Sequence, residues 1–300
     1  MPKETILHHA AHFHEVINNF NPEYALEINA IARASAQDPL WITALNARTE
    51  ILAINKTFQS NECTSIHFAN TPFLGQTWDW GQSMEKLCVI MRIINQHNNE
   101  IIMLTEPGII GKIGLNKWGL GLCLNILTYR EKLSGLPIHI IMRAILDCKT
   151  IRNAREVILH VPSGTASNLI IADVAGNGFD VEFANHETFW PTSVNGCHIH
   201  TNHYLGKSIN SDYDPFFSNS HTRLQTATEL VKNYGRSIDE MMDILSDCSD
   251  KEFPILRQYT PDYNSEKIGT VATIAMDLQN KALFMRRGPQ LQNPFLVYKL

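Results

Sequence analysis

Glu62-Cys63-Thr64-Ser65-Ile66-His67-Phe68-Ala69-Asn70-Thr71-Pro72-Phe73-Leu74-Gly75-Gln76-Thr77-Trp78-Asp79-Trp80 is the stretch around which the chain is organised. Thr64 to Phe68 is a short β-prone run, and Asn70, Thr71 and Pro72 supply turn chemistry after it. Phe73 to Trp80 is a second extended run that carries Asp79 between two indoles. Two strands joined by a tight turn bring Asp79 back beside Cys63. A nucleophilic thiol and an orienting carboxylate then share one end of a hairpin. The other five cysteines, Cys88, Cys123, Cys148, Cys197 and Cys248, are dispersed, with no Cys-x-x-Cys zinc or redox pair. A dispersed Cys ordinarily serves as a small buried hydrophobe. Cys63 stands apart because it opens a strand directly after a polar loop, Asn55 to Glu62.

Upstream, Leu7, Ala10, Phe13, Ile17 and Phe20 recur at three- and four-residue steps, which predicts a helix. Asn21-Pro22 is an N-cap followed by Pro in the first turn and opens a second helix through Ala34. Asp38-Pro39 repeats the signal and predicts a third helix running to Ile51.

Downstream the character changes to short β-prone runs: Cys88 to Ile94, Ile101 to Leu104, Gly111 to Leu115 and Leu120 to Leu124. Helical patterns cover Pro137 to Asp147 and Ile151 to His160. Strands return at Asn168 to Val174 and Phe179 to Ala184 around an Ala175-Gly176-Asn177-Gly178 turn, and again near His198 to Asn202. Helices fit Thr222 to Tyr234 and Ile238 to Leu245, and the chain closes with Thr270 to Asp277 and Ala282 to Arg287. Hairpins in blocks, separated by pairs of helices, predict antiparallel sheets covered by helical layers, an α+β fold. A dinucleotide fold would alternate strand and helix singly, and Gly176-Asn177-Gly178 lacks the third glycine and the following helix.

The composition narrows the function. The 300 residues are 44% hydrophobic and 18% charged, enough to bury a large core. A formal net charge of −5 and no run of Lys and Arg exclude a phosphate-tracking surface, so no nucleic-acid partner is expected. Met1 leads into a His-rich amphipathic segment without a long apolar stretch, and no apolar run is long enough to span a bilayer. No secretory signal, no membrane partner and a cytoplasmic location are the expectation.

The densest polar cluster outside the hairpin is Cys197-His198-Ile199-His200-Thr201-Asn202-His203. Strand alternation puts Cys197, Ile199, Thr201 and His203 on one face and His198, His200 and Asn202 on the other. His-x-His can ligate zinc or copper, yet no carboxylate or thiolate completes a set, and no metal or other cofactor is expected. An Asn at such a strand end has another use, because its side-chain N–H can donate to an oxyanion.

Several blocks in one order carry a resemblance. They are Ala44-Leu45-Asn46-Ala47-Arg48-Thr49-Glu50, Cys63-Thr64-Ser65, Gly75-Gln76-Thr77-Trp78-Asp79-Trp80, Thr105 to Lys112, His200-Thr201-Asn202-His203, Gly269 to Asp277 and Arg287-Gly288-Pro289. From roughly Asn21 to its C-terminus the chain resembles the acyl-CoA:6-aminopenicillanic acid acyltransferase family of self-cleaving cysteine N-terminal-nucleophile (Ntn) hydrolases. The resemblance implies a four-layer αββα sandwich of two antiparallel sheets between helical layers. It implies a helical pro-region, residues 1–62, and a catalytic core, residues 63–300, separated by autocatalytic cleavage of the Glu62–Cys63 bond. Cys63 is then the nucleophile, its freed α-amine the base, Asp79 the group that orients that amine, and Asn202 an oxyanion donor. Thr64, Ser167, Arg223 and Lys267 are implied as substrate-binding positions. The implied substrates are small N-acyl amides or acyl-CoA thioesters, and the two fragments of the precursor are each other's partners.

The chain departs from the fungal penicillin enzymes at two places. Glu62 stands where they commonly carry Gly, and Glu266-Lys267 where they carry Ser-Arg. Two other readings remain open on the residues alone. One is a papain-like hydrolase in which His200 or His203 activates Cys63 without self-cleavage. The other is an inactive binding module on the same fold.

Overall fold

The computed structural model describes residues 1–54, 62–129, 134–206, 219–261 and 266–300, so the expected polar loop lies, apart from Glu62, outside the described residues. The N-terminal block forms as its periodicity requires. Helix α1, Lys3–Phe20, buries Ala10, Phe13 and Ile17. Helix α2, Pro22–Ala34, is capped by the Asn21 side chain, which accepts the Glu23 N–H at 3.0 Å. Helix α3, Pro39–Asn46, is capped by Asp38 on the Leu40 N–H at 2.8 Å. The expected continuous third helix is corrected here: the chain breaks at Ala47 (φ −109°, ψ 20°) and resumes as α4, Arg48–Ile54. A tertiary contact accompanies the break. The buried Asn46 carboxamide donates to Gly108 O (2.8 Å) and accepts from the Ile110 N–H (3.0 Å), which ties the end of α3 to a distant turn.

Two antiparallel sheets follow. The first has the order β10-β1-β2-β12-β13-β14, with the short β11, Thr260–Pro261, pairing off β12. Its strands are β1 Glu62–Phe68, β2 Phe73–Gly81, β10 Cys197–His200, β12 Lys267–Asp277, β13 Ala282–Arg287 and β14 Leu296–Lys299. The second is a meander in chain order: β3 Val89–Ile94, β4 Glu100–Thr105, β5 Ile113–Asn116, β6 Gly121–Ile126, β7 Ser163–Ala172, β8 Gly178–Asn185 and β9 Glu187–Phe189. Strand β7 starts five residues before the sequence pattern, because an irregularity between Ser163 and Ser167 lets a run without clean alternation join the sheet. The short β9 and β14 carry too little pattern to be read from sequence.

Helices α5, Ile138–Leu146, and α6, Ile151–His160, cover the outer face of the second sheet. Helices α7, Ser220–Asn233, and α8, Ile238–Ile244, cover the outer face of the first. The inner faces meet where β1 and β2 cross β6. This is the αββα sandwich. Alternation sorts the side chains of β1: Ile66 and Phe68 pack with Ala227, Val231, Met241 and Ile244 of α7 and α8, whereas Cys63 faces the inter-sheet core, where Cys123 of β6 lies near it. The N-terminal helices belong to that same core. Ile17, Ile28 and Ile42 cluster with Ile101 and Ile141, and burial of each such side chain contributes about 1.5–3 kcal/mol. Residues 1–54 therefore pack as part of the sandwich.

Candidate active site

The hairpin of β1 and β2 pairs Cys63 with Trp78 and Glu62 with Asp79. Directly opposed residues share a face, so Cys63 and Trp78 point between the sheets, while Thr64, Thr77 and Asp79 point towards the α7 side. The carboxylate thus lies diagonally across the ladder from Cys63. Asp79 Oδ1 accepts from Thr270 Oγ1 of β12 at 2.7 Å.

The backbone of Cys63 is held by three side chains from three other elements. Its N–H donates to Asn202 Oδ1 at 2.7 Å. Its carbonyl accepts from Arg223 Nη1 at 2.7 Å and from Asn125 Nδ2 at 3.0 Å. Asn202 Nδ2 donates to Ile126 O at 3.1 Å, and the Asn202 N–H donates to Ser220 Oγ at 2.7 Å. The strand end of β6, the turn after β10 and the first turn of α7 therefore converge on the start of β1.

The thiol itself is 4% exposed. Burial pushes it up to about 12, and the Asp79 carboxylate adds to the rise; the Asp79 backbone N–H, Arg223 and Lys112 pull the other way. In the continuous chain Cys63 is a protonated thiol. Opposite it, Trp78 lies 3.1 Å below Lys112 Nζ, and Trp80 stacks with the Arg48 guanidinium at 4.7 Å. Both cations share the carboxylate of Glu106. Trp78 and Trp80 thus form a cation-capped wall beside the thiol.

The other sequence candidates are placed unevenly. Arg223, implied as a substrate-binding position, is 1% exposed and reaches the backbone of Cys63. Thr64 Oγ1 accepts from Arg223 Nη1 at 3.0 Å on the helix side of β1, facing away from the thiol. Ser167 is not brought to the site. It pairs with Ile126 and Phe183, whereas the next residue, Asn168, pairs with Asn125 and Glu182 and shares their face towards the first sheet. Alternation turns Ser167 to the helix-covered face. Lys267 is exposed at the start of β12, three residues before Thr270. Glu62 lies in β1 with its backbone opposite Asp79. Asn125 was missed by sequence reading, although a lone Asn ending the apolar run Leu120 to Leu124 was a usable signal. Thr270 and Ser220 gave no signal of their own.

The histidines are committed elsewhere. His200 sits at 2.8 Å from Thr201 O through Nδ1 and 2.9 Å from Glu182 Oε1 through Nε2, both acceptors. Both ring nitrogens must carry protons, and the flanking Asp180 and Glu182 raise its pKa against burial. No nitrogen is left to take the Cys63 proton. His203 bonds Ser220 Oγ at 2.8 Å and packs against the tilted ring of His221, and burial pushes its pKa down to about 3. Among the described residues no three His, Cys, Asp or Glu side chains form a metal-ligating group, and no helix is long and apolar enough to cross a membrane. An open cleft of about 880 Å³ lies by Trp118, at the far end of β6 from Asn125; its Arg143, Glu27 and Asp147 are paired with one another.

Against known proteins, the family model of the acyl-coenzyme A:6-aminopenicillanic acid acyl-transferase matches residues 68–289. The chain belongs to this family. A curated relative, the 40 kDa form of acyl-coenzyme A:6-aminopenicillanic-acid-acyltransferase from Emericella nidulans, is 31% identical over 195 residues, covering 61% of this chain and 52% of the relative. The chain thus matches about half the length of that protein. Two solved structures share the fold. A mutant of the conjugated bile acid hydrolase from Clostridium perfringens aligns with a TM-score of 0.54 at 14% identity, covering 79% of this chain and 92% of that one. The N-acylethanolamine-hydrolyzing acid amidase ortholog of Caenorhabditis elegans aligns at 0.51 with 16% identity, covering 72% and 93%.

Proposed function

We propose that this chain is a self-processing cysteine Ntn amidohydrolase or acyltransferase for small N-acyl amides or acyl thioesters. One observation carries the reading. The backbone nitrogen of Cys63, not its sulfur alone, is the atom the site is built around, 2.7 Å from Asn202 Oδ1 and across the ladder from Asp79. That nitrogen becomes the α-amine when the Glu62–Cys63 bond is cut.

The chemistry balances in two steps. Cys63 Sγ attacks the Glu62 carbonyl carbon, the C–N bond breaks, and the nitrogen takes the thiol proton, leaving a Glu62–Sγ thioester. Water then hydrolyses the thioester to a Glu62 carboxylate and a free thiol. The new α-amine has an ordinary pKa near 7.7–8.0, so unlike an amide it can accept a proton from its own thiol. This supplies the base that His200 and His203 do not. In turnover Cys63 attacks the substrate carbonyl, the acyl group rests on sulfur, and water or an amine removes it. Asn202 Nδ2 spends one hydrogen on Ile126 O and keeps the other for the oxyanion. Loss of such a donor costs about 2.7–4 kcal/mol of transition-state stabilisation. Asp79, held by Thr270, orients the amine, and exposed Lys267 offers a point charge for an anionic substrate group.

Intact mass after expression tests this. Wild type yields two fragments split before Cys63, and Cys63→Ala stays whole. A whole wild-type chain with full amidase activity removes the amine from the mechanism. A whole chain that turns over no amide and resists iodoacetamide at Cys63 favours a binding module instead, on the ground that the thiol is buried.

A further inference from the structure

Among the described residues Arg223 is the largest fully buried side chain, and its charge is unusual. Nε donates to Asn219 Oδ1 at 3.1 Å. Nη1 donates to Cys63 O and Thr64 Oγ1 at 2.7 and 3.0 Å. Nη2 donates to Asn202 Oδ1 and Asn219 Oδ1, each at 3.0 Å. All five N–H groups of the fork are used, and every acceptor is a neutral oxygen. Among the described residues no carboxylate pairs with it. It also sits in the first turn of the 14-residue α7, where the helix dipole is already positive. A buried, unpaired cation at that end of a helix costs stability on both counts. A structural brace does not need it: a neutral side chain or an Arg–carboxylate pair would fill the space at lower cost.

We propose that Arg223 is a positioning residue, whose uncompensated guanidinium orients the Asn202 carboxamide and keeps the ground behind Cys63 positive for the thiolate and oxyanion of the reaction. This deepens the proposed function and rests on Cys63 as nucleophile. The orientation follows from lone pairs. Asn202 Oδ1 accepts from both the Cys63 N–H and Arg223, so the carboxamide cannot flip, and its NH2 is held on the far side towards Ile126. The electrostatics follow from the inventory of charges around the sulfur. Asp79 on β2 opposes the thiolate, and Lys112 ahead of β5 shares Glu106 with Arg48. Cys123 on β6 is another buried thiol. Among the described residues Arg223 is the cation there with no carboxylate within ion-pair distance. Substrate recognition is not its task, since no donor is left over.

Asn219 makes the decisive test possible. Asn219→Asp keeps the shape and both hydrogen bonds but adds a carboxylate, which cancels the charge while strengthening any brace. Cys63 alkylation by iodoacetamide, mapped by peptide mass between about pH 6 and 11, reports the thiolate; intact mass over time reports self-cleavage; thermal melts report folding. The expected result for Asn219→Asp is an alkylation midpoint raised by about one pH unit and slower cleavage, with no loss of thermal midpoint. Arg223→Gln shifts the midpoint the same way, and Arg223→Lys, which keeps the charge, restores it. An unchanged midpoint in folded Asn219→Asp overturns the inference even when Arg223→Gln fails to fold. A wild-type Cys63 inert at every pH instead removes the reading of the site, and this inference with it; reactive wild type with unresponsive variants sinks the inference alone.

Discussion

Glu106→Gln tests the physical reasoning about the wall beside the thiol. Glu106 is 5% exposed and is shared by Lys112, 3% exposed, and Arg48, 20% exposed. Both partners hold its carboxyl well below the usual carboxylate range, although burial alone would raise it. Gln keeps the shape and removes the charge, leaving two cations facing each other in a low-dielectric wall. Breaking a buried ion pair from one side costs about 3–5 kcal/mol. For a chain of this size that is a fall in Tm of roughly 5–8 °C. The assay is urea unfolding of the Cys63→Ala protein, so that the chain stays continuous. The variant also acquires a characteristic pH dependence. Burial and Arg48 already lower the Lys112 pKa, and without Glu106 it drops further. The unfolded chain then binds more protons than the folded one, so stability rises with pH through the window between the two Lys pKa values. A loss below about 1 kcal/mol, or one flat in pH, refutes the claim that Glu106 holds the two cations of this wall together.

Three further outcomes are expected. Thr270→Val removes the 2.7 Å bond to Asp79 Oδ1 and the acceptor of the Arg257 N–H, costing about 1–3 kcal/mol and slowing self-cleavage by intact mass; unchanged cleavage kinetics refute the orienting role of Asp79. The folded-state pKa of His200 is raised, so its contribution is complete below its unfolded value near 6.5 and disappears as pH rises through the folded value. Thermal melts should show that slope in wild type and lose it in His200→Asn. Glu50 is buried with a pKa raised to about 7, so the folded chain loses stability as pH rises from about 4.5 through 7. Glu50→Gln, which keeps an acceptor for the Ile138 N–H, flattens that slope and is no less stable than wild type at pH 8 by urea midpoint.

Local chemistry was enough to set the elements. The Asn21-Pro22 and Asp38-Pro39 caps opened α2 and α3 where the sequence placed them, since a side-chain cap and a first-turn Pro act within a few residues. The β1–β2 hairpin, with Cys63 and Asp79 at one end, followed from β-propensity around an Asn-Thr-Pro turn. The alternation that sends Ile199 to the α7 side and His198 to stack on His67 was legible for the same reason. Sequence by itself therefore determined the strand that opens with Cys63, the hairpin that returns Asp79 to the same end, and the layered class of the fold. Only the tertiary structure decided what surrounds the thiol. Asn125, Asn202 and Arg223 are 62, 139 and 160 residues from Cys63 and meet it through pairing and layer packing that no local signal encodes. The break at Ala47 and the turn of Ser167 away from the site have the same origin: a contact or a register set by a distant strand overrides what the neighbouring residues prefer.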